Sequence, residues 1–140
     1  MNSRLIYVVG PSGAGKDTLL AWLKSHIRPS SLVHWARRTI DRPTSSQINA
    51  EQHESVNSQE FQKLLKDNAF AMHWKANSQQ YGIRSQEIAP LYQSELVIVN
   101  GSRGYLPQAA TDFPGLTVLH ITADKDVLRK RLIDRGRENN

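Results

Sequence analysis

Gly10-Pro11-Ser12-Gly13-Ala14-Gly15-Lys16 carries glycines at the spacing needed to wrap a backbone around phosphate. Glycine tolerates positive φ, so successive N–H groups can turn inward onto phosphate oxygens. Lys16 adds a compact positive charge at the start of a helix, whose N-terminal dipole already favours an anion. The run fits the first seven positions of the Walker A pattern G-x-x-x-x-G-K and stands between an apolar run and a helical period, where the chemistry requires it. It predicts that Gly10 through Thr18 bind the phosphates of ATP. The pattern usually continues with a Ser or Thr whose hydroxyl holds Mg²⁺; here Asp17 stands there, followed by Thr18. Both offer hard oxygens, which makes them the candidate metal ligands. An acidic residue is also favoured at a helix N-terminus with no metal present.

The balance of charge asks for an anionic partner. Lys and Arg total 18 against 13 Asp and Glu, a net charge of +5. The arginines fall in pairs and singles and not in a block interleaved with aromatics, which points to a small phosphorylated ligand and away from nucleic acid. Cysteine is absent, which removes disulfides and thiolate metal sites. The five histidines show no metal-ligand spacing. No apolar run approaches the ~18 residues of a membrane span, and the N-terminus lacks the long apolar stretch of a signal peptide. The expectation is a cytoplasmic protein with a small-molecule substrate and no membrane partner.

The elements that must position these residues alternate between strand and helix. Leu5–Val9 and Leu96–Val99 read as strands buried on both faces. Residues 16–27 carry Leu19, Leu20, Leu23 and Ile27 at helical spacing. Leu32–Ala36, Phe70–Lys75 and Leu116–Ile121 read as further strands. A helix capped by Ser58 carries Phe61, Leu64 and Leu65; residues 85–92 form a short helix broken near Pro90, and 124–135 an amphipathic one. Residues 37–55 are polar without period and read as loop and cover. Alternation of this kind predicts a single α/β domain over residues 1–140, a P-loop NTPase fold with a parallel sheet flanked by helices.

Gly10 to Thr18 resembles the P-loop of the guanylate kinase superfamily, and its Lys16-Asp17 step is more like that of the ribose 1,5-bisphosphate phosphokinases. The resemblance extends in order through Arg37-Arg38-Thr39-Ile40-Asp41-Arg42, Glu51-Gln52-His53-Glu54, Ser58-Gln59-Glu60-Phe61, and His73-Trp74-Lys75-Ala76-Asn77 to Tyr81-Gly82. It continues through Asn100-Gly101-Ser102-Arg103 and Leu106-Pro107-Gln108 to the segment from Arg131 to Asn139. It implies ATP-dependent phosphorylation of the 1-phosphate of ribose 1,5-bisphosphate, giving phosphoribosyl diphosphate in phosphonate breakdown. Residues of about 37–84 would form an inserted acceptor-binding cap, with Arg37, Arg38, Arg42 and Tyr81 on the acceptor's phosphate. Residues of about 124–140 would begin a lid, whose Arg131 and Arg135 close on the donor with Lys16. Arg131 and Arg135 are four apart and share a helix face; interspersed Asp124, Asp126 and Asp134 equally allow a solvated, ion-paired helix. Arg103, after a strong strand, is a further candidate phosphate contact.

Guanylate kinases carry a Gly-Glu-x-x-Gly-x-Asp-Tyr segment for guanine and its phosphate. Here Asn49 to Ser55 stands in that place, with His53 at the tyrosine and Asn100 at the aspartate that ends the third strand. These departures favour a sugar phosphate as acceptor. Guanylate kinase-type activity and a binding module without catalysis are the alternatives. Members of the family continue past such a sequence with more lid, another strand and a closing helix. The resemblance implies that this C-terminal part is missing, which would leave the strand near Leu116 as an exposed edge.

Overall fold

The computed structural model describes residues 4–10, 16–27, 32–42, 53–76 and 78–122. At its centre β1 (Leu5–Val9) pairs in parallel with β7 (Leu96–Asn100) on one side and β8 (Thr117–His120) on the other. β2 (Val33–Trp35) joins the free side of β7, so the order is β2-β7-β1-β8, all parallel.

The period of two along β1 and β7 sorts their side chains into two cores. Leu5, Tyr7, Val9, Val97 and Val99 face one way, into a cluster with Met72, Ile83, Ile88, Ala109 and Phe113. Val8, Ile98 and Ile121 face the other way, beneath Leu20 of α1 (Lys16–His26) and with Val33 and Trp35 of β2. Each fully buried Leu, Ile or Val contributes about 1.5–3 kcal/mol, so strands buried on both faces anchor the sheet that carries the site. Leu19 and Trp22 of α1 are exposed, against the expectation that Leu19 packs inward.

A second sheet, of order β4-β3-β6-β5, rises between β2 and β7 in sequence. β3 (Arg38–Asp41) pairs in parallel with β4 (His53–Val56) and antiparallel with β6 (Gln79–Arg84), which pairs antiparallel with β5 (Phe70–Ala76). The polar stretch 37–55 therefore contains two strands at its ends, where loop and cover were expected. Between β4 and β5, α2 (Ser58–Lys66) buries Phe61 against Phe70 at 4.9 Å. Its cap is Asn57, whose Oδ1 accepts from the Glu60 N–H at 2.8 Å. Ser58, the expected cap, donates instead to Asp41. The short α3 (Ser85–Ile88) runs into a 3-10 turn (Ala89–Gln93) containing Pro90, and α4 (Leu106–Asp112) follows β7. β6 and α4 are elements that the periodicity does not announce. The helix expected over 124–135 lies outside the described residues. Among the described residues no helix is long and apolar enough to cross a membrane.

Candidate active site

A cleft of about 330 Å³ opens where α1 and the end of the parallel sheet meet the second sheet. One wall is a single face of α1. Asp17, Leu20, Ala21 and Lys24 stand at the i, i+3, i+4, i+7 positions that line up along a helix. The facing wall is one face of β3 with its neighbours: Arg38, Ile40 and Arg42 alternate along the strand, beside His53 and Tyr81. Trp35, Ile98 and Asn100 form the floor at the carboxyl end of the sheet.

Strand register places the cationic wall. Arg38 is the cross-strand partner of His53, so guanidinium and imidazole sit side by side on the cleft face. Arg38 also lies over the Tyr81 ring, 5.3 Å from its centroid, and Tyr81 stacks on Trp74 at 5.8 Å. The Tyr81 hydroxyl and Arg42 Nη2 both donate to Gln79 Oε1, at 3.1 and 3.2 Å. Among the described residues, three buried polar atoms of the wall and floor have no partner: Arg42 Nε, His53 Nε2 and Asn100 Oδ1. A buried polar group without a partner costs about 1–3 kcal/mol, so the residues around the cleft carry unmet hydrogen-bonding capacity. Burial, Arg42, Arg38 and Arg37, in that order, hold the His53 imidazole below its usual range. Arg38 is also lowered, first by burial and then by Arg42, against the opposing charges of Asp17 and Tyr81.

The alternation that brings Arg38 into the cleft turns Arg37 out of it. Arg37 and Thr39 line a separate depression with Glu54, Arg84 and Glu87. There Glu54 accepts from Thr39 Oγ1 at 2.7 Å and from Arg84 Nε at 2.6 Å, while Glu87 accepts from the Arg37 backbone N–H at 2.6 Å. Arg37, expected beside Arg38 and Arg42 on the acceptor's phosphate, is set by the extended backbone in this depression and not among the residues lining the cleft. Arg103 is exposed and donates to His120 Nε2 at 2.7 Å, and it is not among the residues lining the cleft. Pro11, Ser12, Gly13, Ala14, Gly15, Arg131 and Arg135 lie outside the described residues.

At the mouth of the cleft, Lys16 Nζ donates to the Gly101 carbonyl at 3.3 Å, and Asn100 Nδ2 donates to Asp17 Oδ1 at 3.0 Å. The turn after β7 thus holds the first two residues of α1. Burial pulls the Lys16 ammonium below its ordinary value; Asp17 opposes this and Arg38 adds to it. Gly10 ends β1 beneath the Ile121 carbonyl, which would stand 2.7 Å from any Cβ there. Asp17 and Thr18 present exposed hard oxygens on the first turn of α1. Among the described residues no cluster of three or more His, Cys, Asp or Glu could hold a metal ion by itself. That donor set suits Mg²⁺, which keeps several waters and shares its shell with substrate phosphates.

Lys24 and His53 are lining residues that the sequence reading did not assign to the site. The face of α1 counted from Asp17 would have found Lys24, and recognition of β4 would have found His53.

No family model matches the chain. Among curated proteins, the ribose 1,5-bisphosphate phosphokinase PhnN of Agrobacterium fabrum is 42% identical over 135 residues, covering 96% of this chain and 73% of that protein. The protein of the same name from Thiobacillus denitrificans is 38% identical over 135 residues, covering 96% and 70%. That of Janthinobacterium sp. is 42% identical over 137 residues, but the chain spans 30% of its length. Among solved structures, guanylate kinase from Anaplasma phagocytophilum superposes with a TM-score of 0.64 at 13% identity, covering 93% of this chain and 66% of that one. This likeness shows a guanylate kinase-like α/β fold.

Proposed function

Because the chain belongs to the ribose 1,5-bisphosphate phosphokinase family, we propose that it moves the γ-phosphoryl group of ATP to the 1-phosphate of ribose 1,5-bisphosphate. The products are 5-phosphoribosyl 1-diphosphate and ADP. An oxygen of the acceptor phosphate forms a bond to the γ-phosphorus, and the bond from that phosphorus to the β–γ bridging oxygen breaks as ADP leaves. The acceptor oxygen is already ionised near neutral pH, so no side chain has to remove a proton. The barrier lies in bringing two anions together, and positioned cations lower it.

The observation that carries this reading is that Arg38, Arg42, His53 and Asn100 line one cleft, the last three each holding a buried polar atom without a partner among the described residues. In the proposed complex Arg38, Arg42 and His53 hold phosphate oxygens of the acceptor, with Tyr81 supporting Arg38 from beneath. Asn100 Oδ1 is an acceptor atom, suited to a sugar hydroxyl. Lys16 and the backbone from Gly10 to Thr18 take the donor phosphates, and Arg131 and Arg135 complete the positive shell from the lid. Asp17 and Thr18 would hold Mg²⁺, which when bound neutralises charge on the donor phosphates.

The test is ADP release in a coupled assay with MgATP, comparing ribose 1,5-bisphosphate with GMP, on the chain and on Lys16→Ala. Turnover with the sugar bisphosphate, lost in the variant, is the expected result. Turnover with GMP alone would replace the acceptor, and no turnover with either in folded protein would overturn the enzymatic reading for this chain.

A further inference from the structure

Tyr7 lies in the middle of β1 and is fully buried, yet its hydroxyl is committed to backbone. It accepts from the Ser102 N–H at 2.9 Å and donates to the Ser102 carbonyl at 2.7 Å. The ring occupies the space that a side chain at position 101 would need. A Cβ on Gly101 would come within 2.1–2.5 Å of the ring carbons and hydroxyl. Packing alone would be served as well by phenylalanine, so the hydroxyl is spent on the turn.

That turn carries one peptide unit of consequence. The Ser102 N–H and the Gly101 C=O belong to the same planar trans peptide and point in opposite directions. On its N–H side the unit is held by the Tyr7 hydroxyl; on its C=O side it receives Lys16 Nζ at 3.3 Å. Glycine at 101 leaves the adjoining backbone torsions soft, so local conformation does not fix which way the peptide faces. The turn is also held by Gly101 N–H to the Val8 carbonyl, Tyr105 N–H to the Ser102 carbonyl and Gly104 N–H to Ser102 Oγ, none of which engages this unit's own N–H or C=O.

We propose that Tyr7 is a positioning residue for Lys16: its hydroxyl orients the Gly101–Ser102 peptide so that the carbonyl faces the lysine and fixes the ammonium at the mouth of the cleft. Burial pushes the phenol up to about 12, so the hydroxyl keeps its proton and makes both bonds throughout the neutral range. The consequence for turnover rests on the kinase reading; the geometry does not.

The experiment uses the full chain without ligand. Lysines are acetylated with a trace of acetic anhydride, and the Lys16 peptide is compared by mass spectrometry with that of the exposed Lys63. In Tyr7→Phe the label on Lys16 is expected to rise severalfold relative to Lys63, with the far-ultraviolet spectrum and melting transition retained. An unchanged ratio in folded variant overturns the proposal. Amide exchange in the unaltered chain decides independently of whether the variant folds. The Ser102 amide should exchange about tenfold or more slowly than in a free peptide, and exchange at the free rate overturns the proposal. Where the chain turns over, Tyr7→Phe should lower kcat by about 10- to 100-fold with the acceptor KM held within about twofold. An unchanged kcat per folded molecule counts against it. A chain without turnover defeats the kinase reading and leaves the labelling and exchange results to decide the role of Tyr7.

Discussion

Arg37 and Arg38 have the same side chain one residue apart, and the structure gives them opposite surroundings. Arg38 meets His53, Tyr81 and the unpartnered atoms of the cleft; Arg37 belongs to the face held by Glu54 and Glu87. A hydrogen bond to a charged group contributes about 1.5–3 kcal/mol, so Arg38→Ala should raise the acceptor KM about 10- to 150-fold. Arg37→Ala should change it by less than about threefold, since its side chain is exposed. Initial rates against acceptor concentration check both, and equal effects would show that β3 does not sort the two arginines as described. His53 allows a finer test. Its imidazole is held low by burial, Arg42, Arg38 and Arg37, so in the empty cleft it is neutral near pH 7. A bound dianionic phosphate supplies the opposite charge and raises that value, so binding takes up a proton. The acceptor KM should therefore rise with pH as the bound imidazole loses its proton. Profiles of the unaltered chain and His53→Gln would be compared; a slope that survives the substitution assigns the proton elsewhere.

Elements of the second sheet are tied by a carboxylate. Glu54 on β4 accepts from Thr39 on β3 and from Arg84 on β6, so one side chain links three strands. Burial would raise its pKa, but the hydrogen bonds from Thr39 and Arg84, with the charges of Arg84 and Arg37, outweigh that and hold it below the usual carboxylate value. A depressed carboxylate stabilises the fold above its unfolded-state value near 4.5, and the contribution is lost as pH falls through the folded-state value. Glu54→Gln should cost about 1–2 kcal/mol at pH 7, allowing for partial exposure of the pair, and the gap should be smaller at an acid pH below 4.5. Urea midpoints at the two pH values measure it. The same chemistry explains what the sequence could not announce. Leu5–Val9 and Leu96–Val99 are legible as strands because both their faces are apolar. β3 and β4 carry Arg38 and His53 toward the cleft and Thr39 and Glu54 toward the ionic network, so neither face leaves an apolar period. Without β3 there is no alternation to part Arg37 from Arg38, and without β4 no reason to turn His53 inward. The glycine spacing from Gly10 to Lys16 can be read from sequence because it is local; residues 11–15 lie outside the described residues. Of the cationic wall, the resemblance names Arg38, Arg42 and Tyr81, whereas His53 and the parting of Arg37 from Arg38 depend on register between strands remote in sequence.

Over the whole molecule the charge is uneven. The net charge is +5, and the described cleft lining includes Lys24, Arg38 and Arg42 against one acid, Asp17, which Asn100 already engages. A concave wall of one sign focuses field on the entering ligand, and that attraction is screened by salt while short hydrogen bonds are screened less. The Debye length falls from about 10 Å at 0.1 M to about 3 Å at 1 M, within the dimensions of a 330 Å³ cleft. The acceptor KM should therefore rise about fivefold or more between roughly 0.05 and 0.5 M potassium chloride, with a smaller change in kcat. Melting transitions at the two salt concentrations establish that the fold is unaltered. Lys24 stands two turns along α1 from Asp17, on the wall that faces the cationic one, so Lys24→Ala should flatten the salt dependence more than it raises KM at high salt. A KM that ignores salt, with Arg38→Ala still harmful, would mean that direct hydrogen bonds capture the acceptor without help from the wider field. The excess positive charge would then have to serve a surface other than this cleft.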